Sequence, residues 1–337
     1  MTISLSEMGK LRVKYALIRE CMAEFIGTFV LMMFGCSAAA QVKTSRETRG
    51  QFLSVNMAFS VGVMSAMYLT MGITGAHLNP AVSLSFCVLR KVSWTRLLPY
   101  SLSQVMGAYV ASCLVFLVYY DAIMEFSEGV LTVYGPNETA SIFATYPSEY
   151  ISLGRSFLDQ VVGTAMLLLC ILGLGEERNT PAPPGLIPPI VATIVLGIAM
   201  SMSANCGGAI NPARDLGPRL FTLTAGWGGE VFTCYNYWFW VPLVAPMIGA
   251  VLGTLTYKVF IEWQLPDPDL PSDLHTHTHK WHPAIIVHFL HYSPKRCSLT
   301  VYIISIYIIY IGLLITRVFS MPWNAQFTCM GSFGGYN

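Results

Sequence analysis

Apolar residues along this chain neither alternate nor keep to one face of a helix; they come in blocks. Near residues 21–40, 52–72, 98–119, 156–175, 186–203 and 238–260 the chain is apolar on every side. Each block is close to the length that a helix rising about 1.5 Å per residue needs to cross a hydrocarbon core about 30 Å thick. Two shorter stretches interrupt the pattern, one ending in Asn79-Pro80-Ala81 and the other in Asn211-Pro212-Ala213. Asn is a preferred helix N-cap and Pro a preferred first helical residue, so each tripeptide predicts a helix start. From Pro80 to about Leu89, or from Pro212 to about Phe221, such a helix is roughly 15 Å long, half a span. Two half-helices entering from opposite faces would meet N-terminus to N-terminus at the midplane. There, polar backbone is tolerated only inside protein or along a wet path. The pattern therefore predicts an all-α membrane protein of six transmembrane helices plus two re-entrant half-helices.

Composition agrees. Of 337 residues, 54% are hydrophobic and 11% charged, where a soluble domain carries roughly 25% charged residues. The formal net charge of +1 argues for no nucleic-acid partner. The nine cysteines have neither metal-ligand nor paired spacing and read as small buried hydrophobes. Lys10, Arg12, Lys14 and Arg19 precede the first apolar block, which continues at spanning length as no cleavable signal does. With Arg90, Lys91, Arg96 and Arg178 they outnumber Lys43, Arg46, Arg49 and Arg155 on the alternate connections, which places the N-terminus in the cytoplasm. Asn137-Glu138-Thr139 then falls outside the cell, either as an N-glycosylation acceptor or as a chance sequon.

The two halves echo each other. Ala23-Glu24-Phe25-Ile26-Gly27-Thr28 opens the first, and Asp159-Gln160-Val161-Val162-Gly163-Thr164 the second. Three spans per half is an odd number, so the second copy lies upside down relative to the first, which puts a polar site at the midplane. Glu24 inside an apolar span is either functional or a buried acceptor for the backbone of the half-helix loop, and Gln160 would do that job uncharged. The chain divides into a cytoplasmic N-terminus (1–20), a channel domain (21–262, repeats at about 21–120 and 156–262) and a divergent tail (263–337). The polar segment from Asp121 to Arg155 separates the repeats and is long enough to fold over an outer vestibule. Glu176 to Pro184 reads as an exposed cytoplasmic turn.

Thr74 to Ala81, reading Thr-Gly-Ala-His-Leu-Asn-Pro-Ala, and Asn211 to Phe221, reading Asn-Pro-Ala-Arg-Asp-Leu-Gly-Pro-Arg-Leu-Phe, resemble the two signature loops of the aquaporin family. Asp215 after Arg214 resembles the aquaglyceroporin branch. The likeness covers about residues 15–262. It implies a passive channel for glycerol, water and other small uncharged solutes, urea among the candidates, that excludes protons and ions. It also implies a homotetramer with a pore in each subunit. Asn79 and Asn211 would donate hydrogen bonds to the permeating molecule. The family's narrow ring maps onto Phe59, Ala199, Gly208 and Arg214; without bulk at Ala199 and Gly208 it should be wide, with Arg214 facing Phe59 across it. Arg214 could instead be paired with Asp215 or with backbone carbonyls, and Phe59 could be ordinary span packing. His77 is read either as a neutral imidazole bonded to the loop backbone or as a pH sensor, since His titrates near about pH 6.5.

The tail departs from the family. It carries the other histidines, at 275, 277, 279, 282, 288 and 291, and an apolar run at 299–315 that is either a seventh crossing or a non-homologous extension. No cofactor or metal and no enzymatic constellation is expected. A secondary transporter, which also uses inverted repeats and broken helices, and a non-conducting membrane protein are the competing functions. A transporter would need ionisable relays at the midplane, and beyond Glu24 and Arg214 the spans offer almost none. The address expected is the plasma membrane, with lipid as the surrounding partner.

Overall fold

A computed structural model describes residues 13–266; the tail histidines and the 299–315 segment lie outside them. The regular elements among the described residues are helices, and those that build the bundle are α1 (Ala16–Thr44), α2 (Phe52–Thr74), α3 (Pro80–Val88), α4 (Leu97–Val118), α5 (Tyr120–Phe126), α6 (Leu153–Leu174), α7 (Ile187–Cys206), α8 (Pro212–Thr222) and α9 (Val241–Phe260). Helical segments long and apolar enough to cross a membrane number 6 among the described residues, in the places where the apolar blocks lie. The protein is an integral, multi-pass membrane protein.

Burial runs opposite to that of a soluble protein. Met22, Phe34, Leu53, Leu69, Leu102, Leu117 and Met200 are exposed on the flanks, while Glu24, Gln104, Gln160, Asp215 and Arg219 are buried. Lipid offers an apolar side chain as much as another helix does, so the bundle has little hydrophobic reason to close. Close backbone packing and internal hydrogen bonds close it instead. Gly107 of α4 lies against the Phe25 carbonyl of α1, and Gly249 of α9 lies against the Val161 carbonyl of α6. These are corresponding contacts in the two halves.

The repeat is visible in the packing. α1 contacts α2 and α4, and α6 contacts α7 and α9; α4 then packs on α8 and α9 on α3, so each half holds the other's short helix. Ser60 Oγ donates to the Ala192 carbonyl at 2.5 Å, joining α2 to α7, and Ser85 and Thr254 hydroxyls meet at 2.5 Å between α3 and α9. The Asp121–Arg155 segment is more than a cover. Within it Thr139, Ala140, Ile142, Phe143, Ala144 and Thr145 are buried, so the chain dips into the bundle there.

Candidate functional site

The short helices α3 and α8 begin as their tripeptides predict. Asn79 Oδ1 accepts the Ala81 N–H at 2.8 Å, and Asn211 Oδ1 accepts those of Ala213 at 3.0 Å and Arg214 at 3.3 Å. Each oxygen thus satisfies orphan donors of its own helix. The amide nitrogens reach across the pseudo-symmetry: Asn79 Nδ2 donates to the Ile210 carbonyl at 3.0 Å and Asn211 Nδ2 to the Leu78 carbonyl at 2.9 Å. The two helix starts are therefore tied face to face. An amide nitrogen carries two hydrogens, so one donor remains on each Asn.

The loops before these caps are held from behind. Glu24 is fully buried and accepts the His77 N–H at 3.0 Å on one oxygen and the Leu78 N–H at 2.8 Å on the other. In the second half Gln160 Oε1 accepts the Ile210 N–H at 2.8 Å. Gln104 Nε2 ties Glu24 (2.8 Å) to Ser83 (3.2 Å), and Ser83 meets His77 Nδ1 at 3.0 Å. His77 is bonded to this hydroxyl rather than to loop backbone, and its ring packs on Phe86 and Tyr100. Ala76 and Leu78 adopt positive φ of 55° and 57°, a costly conformation for residues with a Cβ. The Glu24 and Asn211 bonds compensate for it.

A cavity of about 870 Å³ runs past both caps. Lys43, Arg46 and Ser141 line one mouth, and Phe86, Leu174 and Ile187 line the other. His77, Asn79, Asn211, Phe59, Ala199, Gly208 and Arg214 line the same cavity, so the structure brings these residues together. At the Lys43 mouth, Lys43 pairs with Glu138 and also donates to Ser141 at 3.0 Å, fastening the dipping segment to the end of α1. Asn137 donates to Glu128 at 3.0 Å, and Thr139, the third residue of the sequon, is buried and accepts from Trp227.

Of the partners considered for Arg214, a backbone carbonyl is the one observed. Its guanidinium does not pair with Asp215. It donates to the Phe143 carbonyl at 2.7 Å and lies 4.7 Å from the centre of the Phe59 ring. Arg214 and Phe59 therefore stack into one wall instead of facing each other across the lumen, since a cation is drawn to an aromatic face. Asp215 is engaged elsewhere. It accepts Arg219 Nε at 2.8 Å and Nη2 at 3.0 Å and the Thr145 N–H at 2.8 Å, and both members of the ion pair are fully buried. Arg219 also donates at 2.6 Å to the carbonyls of Val231 and Thr145, and Trp238 Nε1 donates to the same Thr145 carbonyl at 2.9 Å. This clamp fixes residues 143–145 and so places the Phe143 carbonyl under Arg214.

Gly208 has φ +62°, and a side chain built on it would run into Ser203 Oγ. It supplies loop geometry as well as space. Sequence reasoning missed Phe143, Thr145, Arg219 and Asp159. Asp159 lines the cavity and accepts from Gln160 and Asn205, each at 2.8 Å. Arg219 lay inside the second signature stretch at the i+4 spacing from Asp215, which was signal enough for an ion pair. Phe143 acts through a backbone carbonyl, which no sequence pattern marks.

The sequence profile described as Major intrinsic protein matches residues 12–257. The chain belongs to the major intrinsic protein family. Among similar members of this family, human Aquaporin-10 is 48% identical over 274 residues, covering 81% of this chain and 91% of that protein. Human Aquaporin-9 is 45% identical over 260 residues, covering 77% and 88%. The X-ray structure of the aquaglyceroporin from Plasmodium falciparum superposes with a TM-score of 0.66 at 31% identity, covering 73% of this chain and 98% of that one.

Proposed function

We propose that this major intrinsic protein is a passive channel for glycerol, water and other small uncharged solutes, urea among them, and that it excludes protons and ions. The observation that carries the reading is the crossed pair of Asn amides. Each spends its oxygen on its own helix and one hydrogen on the opposite loop, which leaves one aligned donor per Asn for the cavity that both line. A solute oxygen accepting both donors turns its own hydrogens away from the midpoint, which interrupts a proton-conducting chain of waters. Each half-helix also presents about +0.5 charge at its N-terminus. Taken as one charge at about 5 Å and an effective dielectric of about 20, the two oppose a cation by about 3 kcal/mol. Dehydration and Arg214 add to that barrier.

Selectivity in pores of this type, aquaporins included, comes down to diameter, lining groups and electrostatic barriers. Here the Arg214–Phe59 wall offers fixed donors beside an apolar ring, which suits the hydroxyl edge and the carbon edge of a polyol. Ala199 and Gly208 bound the passage with almost no side chain, which favours solutes wider than water. His77, lining the same cavity below Asn79, is a pH-sensing candidate. The charge bias supports a cytoplasmic N-terminus, with residues 121–155 outside and Asn137 available for glycosylation; the plasma membrane is the proposed address. Family membership supports a homotetramer with a pore in each subunit.

The test is stopped-flow light scattering on proteoliposomes of the full chain under glycerol, urea and water gradients, with an ion-flux control. Rapid glycerol and water flux without ion leak is expected. Vesicles tight to both solutes refute the channel, and glycerol uptake that requires an ion gradient favours a secondary transporter.

A further inference from the structure

The wall formed by Phe59 and Arg214 has a third member that carries no side chain. Gly35 lies in α1, buried where α1 and α2 cross, and a Cβ built on it would overlap Cδ1, Cε1 and Cζ of the Phe59 ring. Almost equally near to all three, that Cβ would lie over the face of the ring and not beside its edge. The Arg214 guanidinium also stands over the ring, 4.7 Å from its centre, so the ring lies flat against the α1 backbone with a cation stacked on it. Phe59 also lines the cavity, with Ala199 and Gly208. One turn further along, Gly62 of α2 sits against the Leu31 carbonyl, so the two backbones are already at close approach and α1 cannot back away.

On the reading that this cavity conducts, we propose that Gly35 is a specificity-determining residue of the channel. By having no side chain it lets the Phe59 ring seat against α1, and that seat sets how far the ring intrudes on the passage. Its effect is exerted entirely through Phe59. A methyl group at position 35 drives the ring along its normal, off α1, and with it the wall it shares with Arg214 toward the passage that both line. Packed interiors tolerate no such overlap without displacement. The class of solute affected is the polyol, whose carbon edge must pass the ring. Water needs a smaller opening and is affected less.

The experiment compares wild type, Gly35→Ala, Phe59→Leu and the Gly35→Ala/Phe59→Leu double variant of the full chain in proteoliposomes, reading the ratio of glycerol to water permeability so that the amount of reconstituted protein cancels. Gly35→Ala is expected to lower that ratio about tenfold, the order of discrimination that one methylene-sized change in a pocket supports. The double variant is expected to match Phe59→Leu within about twofold, since the added methyl then has no ring to push. An unchanged ratio in Gly35→Ala, or a ratio that stays low in the double variant, overturns the proposal. If Gly35→Ala alone does not fold, the double variant must still fold and conduct, and its failure to do so also overturns it. Wild-type vesicles tight to glycerol and water would instead refute the channel itself, which is a separate outcome.

Discussion

The two halves of this protein build the same object, a half-helix with an Asn cap aimed at its twin, on different supports. In the first half a buried carboxylate, Glu24, takes two loop N–H groups and is steadied by Gln104. In the second a neutral carboxamide, Gln160, takes one N–H, and the ionic chemistry moves forward onto α8 as the Asp215–Arg219 pair. The reason lies in what each loop must hold. Beyond its tie to Asn211, the first loop has only its own cap to hold. The second must also anchor residues 139–146 and orient Arg214, and a buried ion pair whose five-donor cation reaches two carbonyls does both. Repeat symmetry preserves the caps, while the tasks of the two mouths decide the chemistry behind them.

The largest expected effect falls on the second half. Arg219→Met strands Asp215 without its cation in a buried site, a loss of about 3–5 kcal/mol, seen as a lower unfolding temperature in detergent and as loss of both solute fluxes. Full stability in that variant would break the comparison, because the clamp would then be ornamental. Next, Glu24→Ala leaves two loop N–H groups unpaired at about 1–3 kcal/mol each, against one for Gln160→Ala. The first should therefore destabilise about twice as much as the second, and a reversed order in thermal unfolding would sink the assignment of these acceptors. Smaller again, Ala199→His should cut glycerol flux about tenfold with less than about twofold loss for water. Gly208→Tyr, by contrast, should depress both fluxes, because φ +62° and the nearby Ser203 make any side chain there a backbone problem. Equal losses in the Ala199 variant would remove it from the filter.

The smallest effect concerns the imidazole of the first half. The His77 backbone N–H donates to the Glu24 carboxylate, and its ring meets the Ser83 hydroxyl and the rings of Phe86 and Tyr100. Glycerol flux read from about pH 5 to 8, the range in which an imidazole changes charge, should vary in wild type and be flat in His77→Ala. Identical profiles would discard His77 as a sensor and leave it a structural partner of Ser83.

Much of the site was legible before any fold was known. Asn caps with Pro at the first helical position, Glu24 and Gln160 at matching places in the halves, and Arg214 just inside a re-entrant helix each follow from residue chemistry and spacing. What could not be read was which partner a polar group takes once several compete. Asp215 stands next to Arg214 in the chain, yet helical geometry turns neighbours to different faces and brings the residue four positions on, Arg219, to the same side. The Asp121–Arg155 segment looked like a polar boundary because its buried core, residues 139–145, is short and made of small and mixed residues.

By itself, the amino-acid sequence determined the spans, the inverted duplication and the two opposed helix starts, because hydropathy over about 20 residues and helix-capping chemistry are local properties that lipid enforces. The tertiary structure decided that Arg214 stacks on Phe59, that Phe143 lends it a carbonyl, and that Gly35 gives the ring its seat. Those relations join residues far apart in the chain through backbone groups and close approach, and no periodicity records where two helices come near enough to touch.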